Sequence, residues 1–443
     1  MKKHIIYLLL CSFLFAACKK KEDVSKPILG LEGDTWPKGP IDEWLYNTFT
    51  KPYNIQVKYR WDASELALDK RLVPPYEDKI QPLMEVVRKA WIDVYSKEAG
   101  EPFIRKFCPK QYVLVGSPEY NTNGTITLGQ AEGGIKVTLF RVNEFSNTDR
   151  DITKRVLKTI HHEFAHILHQ NIMYPPEFKL ITPSVYTSSW NQLSDDAARL
   201  LGCITPYASS AVDEDFVEMV AVMLTEGKAN YEAIVNTIPN PAAIASIRAK
   251  ENIVVTYFKQ VYNINFDSLQ NSTQVALNSF APFKFRHIIG PGKIYSSINI
   301  NPARLTGLSA DFNTRWAAAK TGLAAVGAAN RVLDSMKLVV TGEQTIVATF
   351  MYRNQAGVNF TASFTYTMNP DANGVTMLTL TTKDGNASVV EPGLVSITTN
   401  YLAAFPFKLD YYTGYPKTGT PEQYAGLLNQ TTPAAYMIGL LGK

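Results

Sequence analysis

Lys158-Thr159-Ile160-His161-His162-Glu163-Phe164-Ala165-His166-Ile167-Leu168-His169-Gln170 is the stretch on which the reading of this 443-residue chain turns. Val156, Leu157, Ile160, Phe164, Ile167 and Leu168 recur at helical spacing, so a helix over Thr153 to Gln170 with one buried side is expected. On such a helix His162 and His166, four residues apart, leave the same face and can share one metal ion. Glu163 is offset round the helix, where it would reach a water beside the metal rather than the metal itself. Four of the six histidines of the chain fall in this one stretch. The plainer alternative is a histidine-rich buried helix satisfied by hydrogen bonds, which gives no reason for the Glu163 spacing.

Two imidazoles do not complete a zinc site. His169 lies one turn beyond His166, not where the longer HExxHxxGxxH pattern places a third histidine, and no glycine turn follows. A carboxylate on a later helix is therefore expected as third ligand. Asp213-Glu214-Asp215-Phe216-Val217-Glu218-Met219 opens such a helix, expected over Asp213 to Thr225 with Gly227 near its end. Glu214 and Glu218 share a face, so one can bind metal while the other accepts the N–H of a ligating histidine. An acidic first turn also complements the helix dipole. That accounts for Asp213, Glu214 and Asp215 but not for Glu218, which sits among Phe216, Val217, Val220 and Ala221 and needs a partner.

Outward from this centre, hydrophobic residues at 46% and charged residues at 19% describe a globular chain long enough for two domains. The net charge of +4 falls to +2 without Lys2 and Lys3, too small a bias to argue for nucleic acid as a partner. Lys2 and Lys3 followed by the apolar run Ile5 to Phe15 read as a signal peptide over residues 1–17. Phe15-Ala16-Ala17-Cys18 reads as a lipobox with Cys18 the lipidated residue, and Lys19 to Asp23 as part of a polar tether over residues 18–26. An ordinary signal peptide cut near Ala17, or an uncleaved anchor, is the alternative. Cys108 and Cys203 are then the remaining cysteines, either bonded to each other or two buried thiols.

Strands are expected at Asn54 to Asp62, Tyr112 to Val115, Thr125 to Leu128 and Ile135 to Val142, with a glycine-rich turn between the last two. Helices are expected over Ile80 to Tyr95, Ala242 to Tyr262 and Asp267 to Leu277. Ile135 to Val142 is either an edge strand open to an extended substrate or an interior strand. Past Pro282 and Gly290-Pro291-Gly292 the pattern changes. One helix, Ser309 to Met336, precedes strands at Lys337 to Val340, Thr345 to Tyr352, Asn359 to Thr367 and Val375 to Thr381. The fold class is α+β, with residues 27–279 as the metal-bearing domain and 281–443 as a β-rich accessory domain.

HEFAH followed by Glu-x-x-Val-Glu resembles the gluzincin metallopeptidases, whose zincin-like domain the resemblance implies for residues 27–279. It implies zinc held by His162, His166 and Glu214, with Glu218 supporting a histidine and Glu163 as general base. Lethal-factor-like gluzincins place a tyrosine seven residues before the ligand glutamate, which implies Tyr207 as a catalytic hydrogen-bond donor. More narrowly, the chain resembles the substrate-import-associated zinc metallohydrolase lipoproteins of Bacteroidetes. That resemblance rests on the lipobox, Pro52-Tyr53-Asn54-Ile55 leading into Tyr59-Arg60-Trp61-Asp62, the stretch Gly129-Gln130-Ala131-Glu132-Gly133-Gly134, HHEFAHILHQ and EDFVEM, across about residues 18–278. It implies a zinc peptidase acting on peptide or protein substrate. The enzyme would be lipid-anchored at the outer membrane, facing the cell surface or the periplasm, beside a nutrient import complex. The rival readings are a zinc amidase or deacylase on non-protein material, and a surface binding lipoprotein that retains the zincin scaffold.

Overall fold

The computed structural model describes residues 37–67, 69–132, 135–412 and 424–443; the stretches read as signal peptide and tether, with Cys18, lie outside the described residues. Pro40–Leu45 is a short helix, opened by Pro40 and by the Asp42 carboxylate accepting the Gly39 N–H. Residues 49–443 form one compact unit.

The first half of that unit is organised on a small mixed sheet. β1 (Gln56–Lys58) pairs in parallel with β2 (Gln111–Leu114). β3 (Glu119–Tyr120) and β4 (Ile126–Thr127) form a separate hairpin. β5 (Gly129–Glu132) runs antiparallel to β6 (Lys136–Leu139), and β6 runs parallel to β2, so the sheet order is β1-β2-β6-β5. Of the two readings of the segment Ile135 to Val142, the interior strand holds: β6 is flanked on both sides. The edge on that side is β5, in the glycine-rich stretch expected to be a turn. A Cβ on Gly129 would meet Thr159 Cγ2 at 2.2 Å, so glycine here permits close approach of strand to helix.

Helix α1 (Glu77–Val87) continues through the wider turn Arg88–Ile92 into α2 (Asp93–Ala99). Helix α3 (Arg150–Asn171) carries the two histidines and begins where the Asp149 carboxylate accepts the Ile152 N–H at 3.0 Å. Its apolar side buries Leu157, Ile160, Phe164 and Leu168, with Phe164 edge-on to Trp91 at 5.1 Å and to Tyr95 at 4.9 Å. α4 (Val212–Asn236) packs on α3 and is broken inside at Gly227; α5 (Pro241–Tyr262) and α6 (Phe266–Phe280) follow.

The second half is a closed eight-stranded antiparallel barrel with two helices. In chain order it runs β7 (Ser297–Ile300), α7 (Ala310–Ala325), β8 (Val332–Gly342), β9 (Thr345–Arg353), β10 (Asn359–Met368), β11 (Val375–Lys383), α8 (Gly385–Ile397), β12 (Pro406–Tyr411), β13 (Tyr424–Asn429) and β14 (Met437–Gly442). Alternation builds it: Ala362, Phe364, Tyr366 and Met368 of β10 are buried, while Thr361, Ser363, Thr365 and Thr367 take the other face. The helix expected from Ser309 to Met336 ends at Ala325. Leu333 and Met336 mimic helical spacing because β8 shifts register between Leu333 and Ser335, where a bulge adds a residue to the strand. Cys108 and Cys203 are both buried free thiols, which decides between the two alternatives for them.

Candidate metal centre

His162 and His166 leave α3 on the side facing α4, and Glu214 meets them from the first turn of α4. Glu214 Oε2 lies 3.1 Å from His162 Nε2 and 3.3 Å from His166 Nε2. Among the described residues these three form a group whose ligand atoms all lie within 4.8 Å of one another. Two imidazole nitrogens and one carboxylate oxygen are the donor set of a zinc site that keeps one position open.

Among the described residues, the other residues expected at the metal site lie beside this centre. Glu218, one turn beyond Glu214, accepts from His162 Nδ1 at 3.0 Å, so the i, i+4 pair meets His162 on both of its ring nitrogens. Glu163 is buried and lies beside the edge strand: a Cβ on Gly129 would stand 3.7 Å from Glu163 Oε1. Tyr207 lies in the turn Tyr207–Ser209 before α4, its ring stacked on His162 at 5.7 Å and its hydroxyl under the influence of Glu214. Asp215 points elsewhere. Fully buried, it accepts from Lys250 Nζ at 2.5 Å and from the Tyr186 hydroxyl at 3.0 Å, so its role is in the core.

The electrostatics favour a cation. Burial alone would raise the Glu214 carboxyl, but hydrogen bonds from His162 and His166 outweigh it and hold the pKa at about 2. Burial likewise opposes charge on Glu218, yet Lys158 and His162 keep it far below the usual carboxylate range. Burial also disfavours a charged His162, but Glu214, Glu218 and Glu163 raise its pKa to about 9. Positive charge placed between these imidazoles is therefore stabilised. Burial and the same three carboxylates push the Tyr207 hydroxyl well above its ordinary value, so it stays protonated and can donate.

Several supporting residues carry little sequence signal. Lys158 Nζ donates to Glu218 Oε2 at 2.8 Å, and the Thr205 hydroxyl donates to the same oxygen. Lys158 stands four residues before His162, so its face was readable, but Thr205 reaches the site from a loop. Trp190 braces Tyr207 edge-on at 4.9 Å. His161 is not part of this group; it packs near Tyr95, and burial drops its pKa to about 3.

The family described as "Putative zinc-binding metallo-peptidase" matches residues 34–267. The chain is also similar to the crystal structure of a protein of that description from Bacteroides caccae, at 31% identity over 56% of this chain and 97% of that one, with a TM-score of 0.47. No curated protein matches. The family match covers more than half of the chain and contains His162, His166 and Glu214: this chain belongs to the zinc-binding metallo-peptidase family.

Proposed function

We propose that this protein hydrolyses peptide bonds, with Glu163 as general base and Tyr207 as donor to the reacting carbonyl. The observation that carries the reading is the convergence of His162, His166 and Glu214 beside a buried Glu163 that lies against the edge strand. Zinc, when bound, supplies Lewis acidity, polarising the carbonyl and making water acidic enough to lose a proton near neutral pH. Glu163 takes that proton and passes it to the leaving amine nitrogen, which an amine needs in order to depart. The Tyr207 hydroxyl donates to the carbonyl oxygen as negative charge builds there. His162 is held for ligation by Glu218, which Lys158 and Thr205 fix in turn. As the edge of its sheet, β5 offers backbone groups that an extended peptide can pair with beside Glu163.

The test is Glu163→Gln assayed on a panel of denatured proteins. The carboxamide cannot accept the proton, so hydrolysis should fall roughly 100-fold to 10,000-fold, while zinc content stays that of the unaltered protein. An inactive unaltered protein, or an active Glu163→Gln variant, rejects the proposal.

The location belongs to the same reading: a lipoprotein held by Cys18 at the outer membrane, trimming peptides for an import complex. The Lys/acidic run after Cys18 and the lipobox support it. Cys18→Ser should move the protein from the membrane fraction to the soluble fraction, because the acyl chains are its proposed attachment. Retention of that variant in the membrane would reject lipid anchoring at Cys18.

A further inference from the structure

We propose that His169 is a positioning residue that holds the His166 imidazole through Nδ1 and thereby aims His166 Nε2 at the metal. The proposal rests on the reading of His162, His166 and Glu214 as ligands. His166 and His169 are three apart on α3 and share a face. His166 Nδ1 lies 3.0 Å from His169 Nε2. A ligating Nε2 must offer its lone pair, so the His166 proton sits on Nδ1 and is donated. His169 therefore accepts at Nε2 and carries its own proton on Nδ1.

That second nitrogen is buried with no hydrogen-bond partner. His161, packed in the core on the same helix, has both ring nitrogens buried without a partner, whereas His169 directs one of its two to His166. The side-chain hydrogen bond of the His169 ring goes to a residue read as a metal ligand. The ring is also locked. It packs at 5.5 Å from Tyr174 and 6.1 Å from Phe216. Those two rings stack on each other at 4.2 Å, and the Tyr174 hydroxyl donates to Asp213 next to Glu214. His169 thus joins the ligand on α3 to the start of the helix that brings the third ligand. The two ligand imidazoles are supported differently, His162 by the anionic Glu218 and His166 by the neutral His169.

The experiment compares His169→Gln, His169→Asn and His169→Leu in the full chain. Glutamine carries an acceptor oxygen as far along the side chain as the histidine Nε2; asparagine falls short of it, and leucine has none. Zinc affinity is read by chelator competition, and the ligand field by the visible spectrum of the cobalt(II)-substituted protein. Asparagine and leucine should weaken zinc by about 10-fold to 100-fold and shift the cobalt bands. Glutamine should restore both readouts, a rescue that a merely space-filling role would not produce. If leucine binds zinc as tightly as histidine, or glutamine is as weak as asparagine, the positioning role is wrong while the ligand reading stands. If the unaltered chain binds no zinc, the ligand reading fails and this proposal fails with it.

Discussion

At the scale of single residues, three neighbouring carboxylates have three different occupations, and helix geometry separates them. Glu214 faces the histidine pair, and Glu218, one turn on, meets the far nitrogen of His162. Asp215 is rotated into the core and compensated by Lys250, where a lone charge would be expensive. Glu214→Gln should therefore cost most of the zinc affinity. Glu218→Ala should weaken it by about 10-fold to 100-fold, as loss of a histidine's partner does. Equilibrium dialysis measures both. A larger loss for Glu218→Ala than for Glu214→Gln would exchange their roles.

At the scale of elements, α4 matters because it carries Glu214 to the histidine pair and then breaks. Gly227 has φ 74° and ψ 171°, a backbone region essentially confined to glycine. The break frees carbonyls from their helical partners, and α6 supplies substitutes. Gln270 Nε2 donates to Met223 O at 2.6 Å, and Gln274 Nε2 donates to Leu224 O at 2.8 Å and Thr225 O at 2.9 Å. Gln274 Oε1 in turn accepts from Arg150 at the start of α3. One glutamine thus ties together the helix break, α6 and the histidine helix. A Cβ at Gly227 would stand 2.7 Å from Gln274 Cγ. Gly227→Ala should therefore destabilise the protein by at least the ~1–3 kcal/mol of a forced backbone conformation, seen as a lower melting temperature. An unchanged melting temperature would mean that the break is not structurally required.

At the scale of the whole molecule, the segment after α6 meets the start of α3, and the barrel meets the end of α4, both away from the histidine pair. Arg150 donates to Ala281 O and Asn278 Oδ1, both at 2.7 Å, and lies over the Phe283 ring. Lys293 pairs with Asp151 at 2.8 Å. Ala233 of α4 belongs to the apolar core of the barrel, and Tyr411 of β12 bonds Asn230. From Arg150 to His162 along α3 is roughly 18 Å at the helical rise. These contacts hold the two helices that carry His162, His166 and Glu214.

What was legible beforehand followed from local rules. The histidine pair, Glu163 and the Glu214–Glu218 pair are set by the periodicity of one helix each, which nearest-neighbour spacing expresses directly. The strands of the barrel were readable from alternation at β9, β10 and β11, but its closure was not. Leu440 pairs with Asn299, a contact that no short window contains. The edge strand was mistaken for a turn because glycine looks the same locally whether it bends a chain or admits a neighbour; Thr159, from a distant helix, decides which. The Thr205 bond to Glu218 and the use of His169 depend in the same way on which side chains folding brings within hydrogen-bond reach. Spacing along a helix selects a face, but the neighbour across that face comes from packing between segments far apart in the chain.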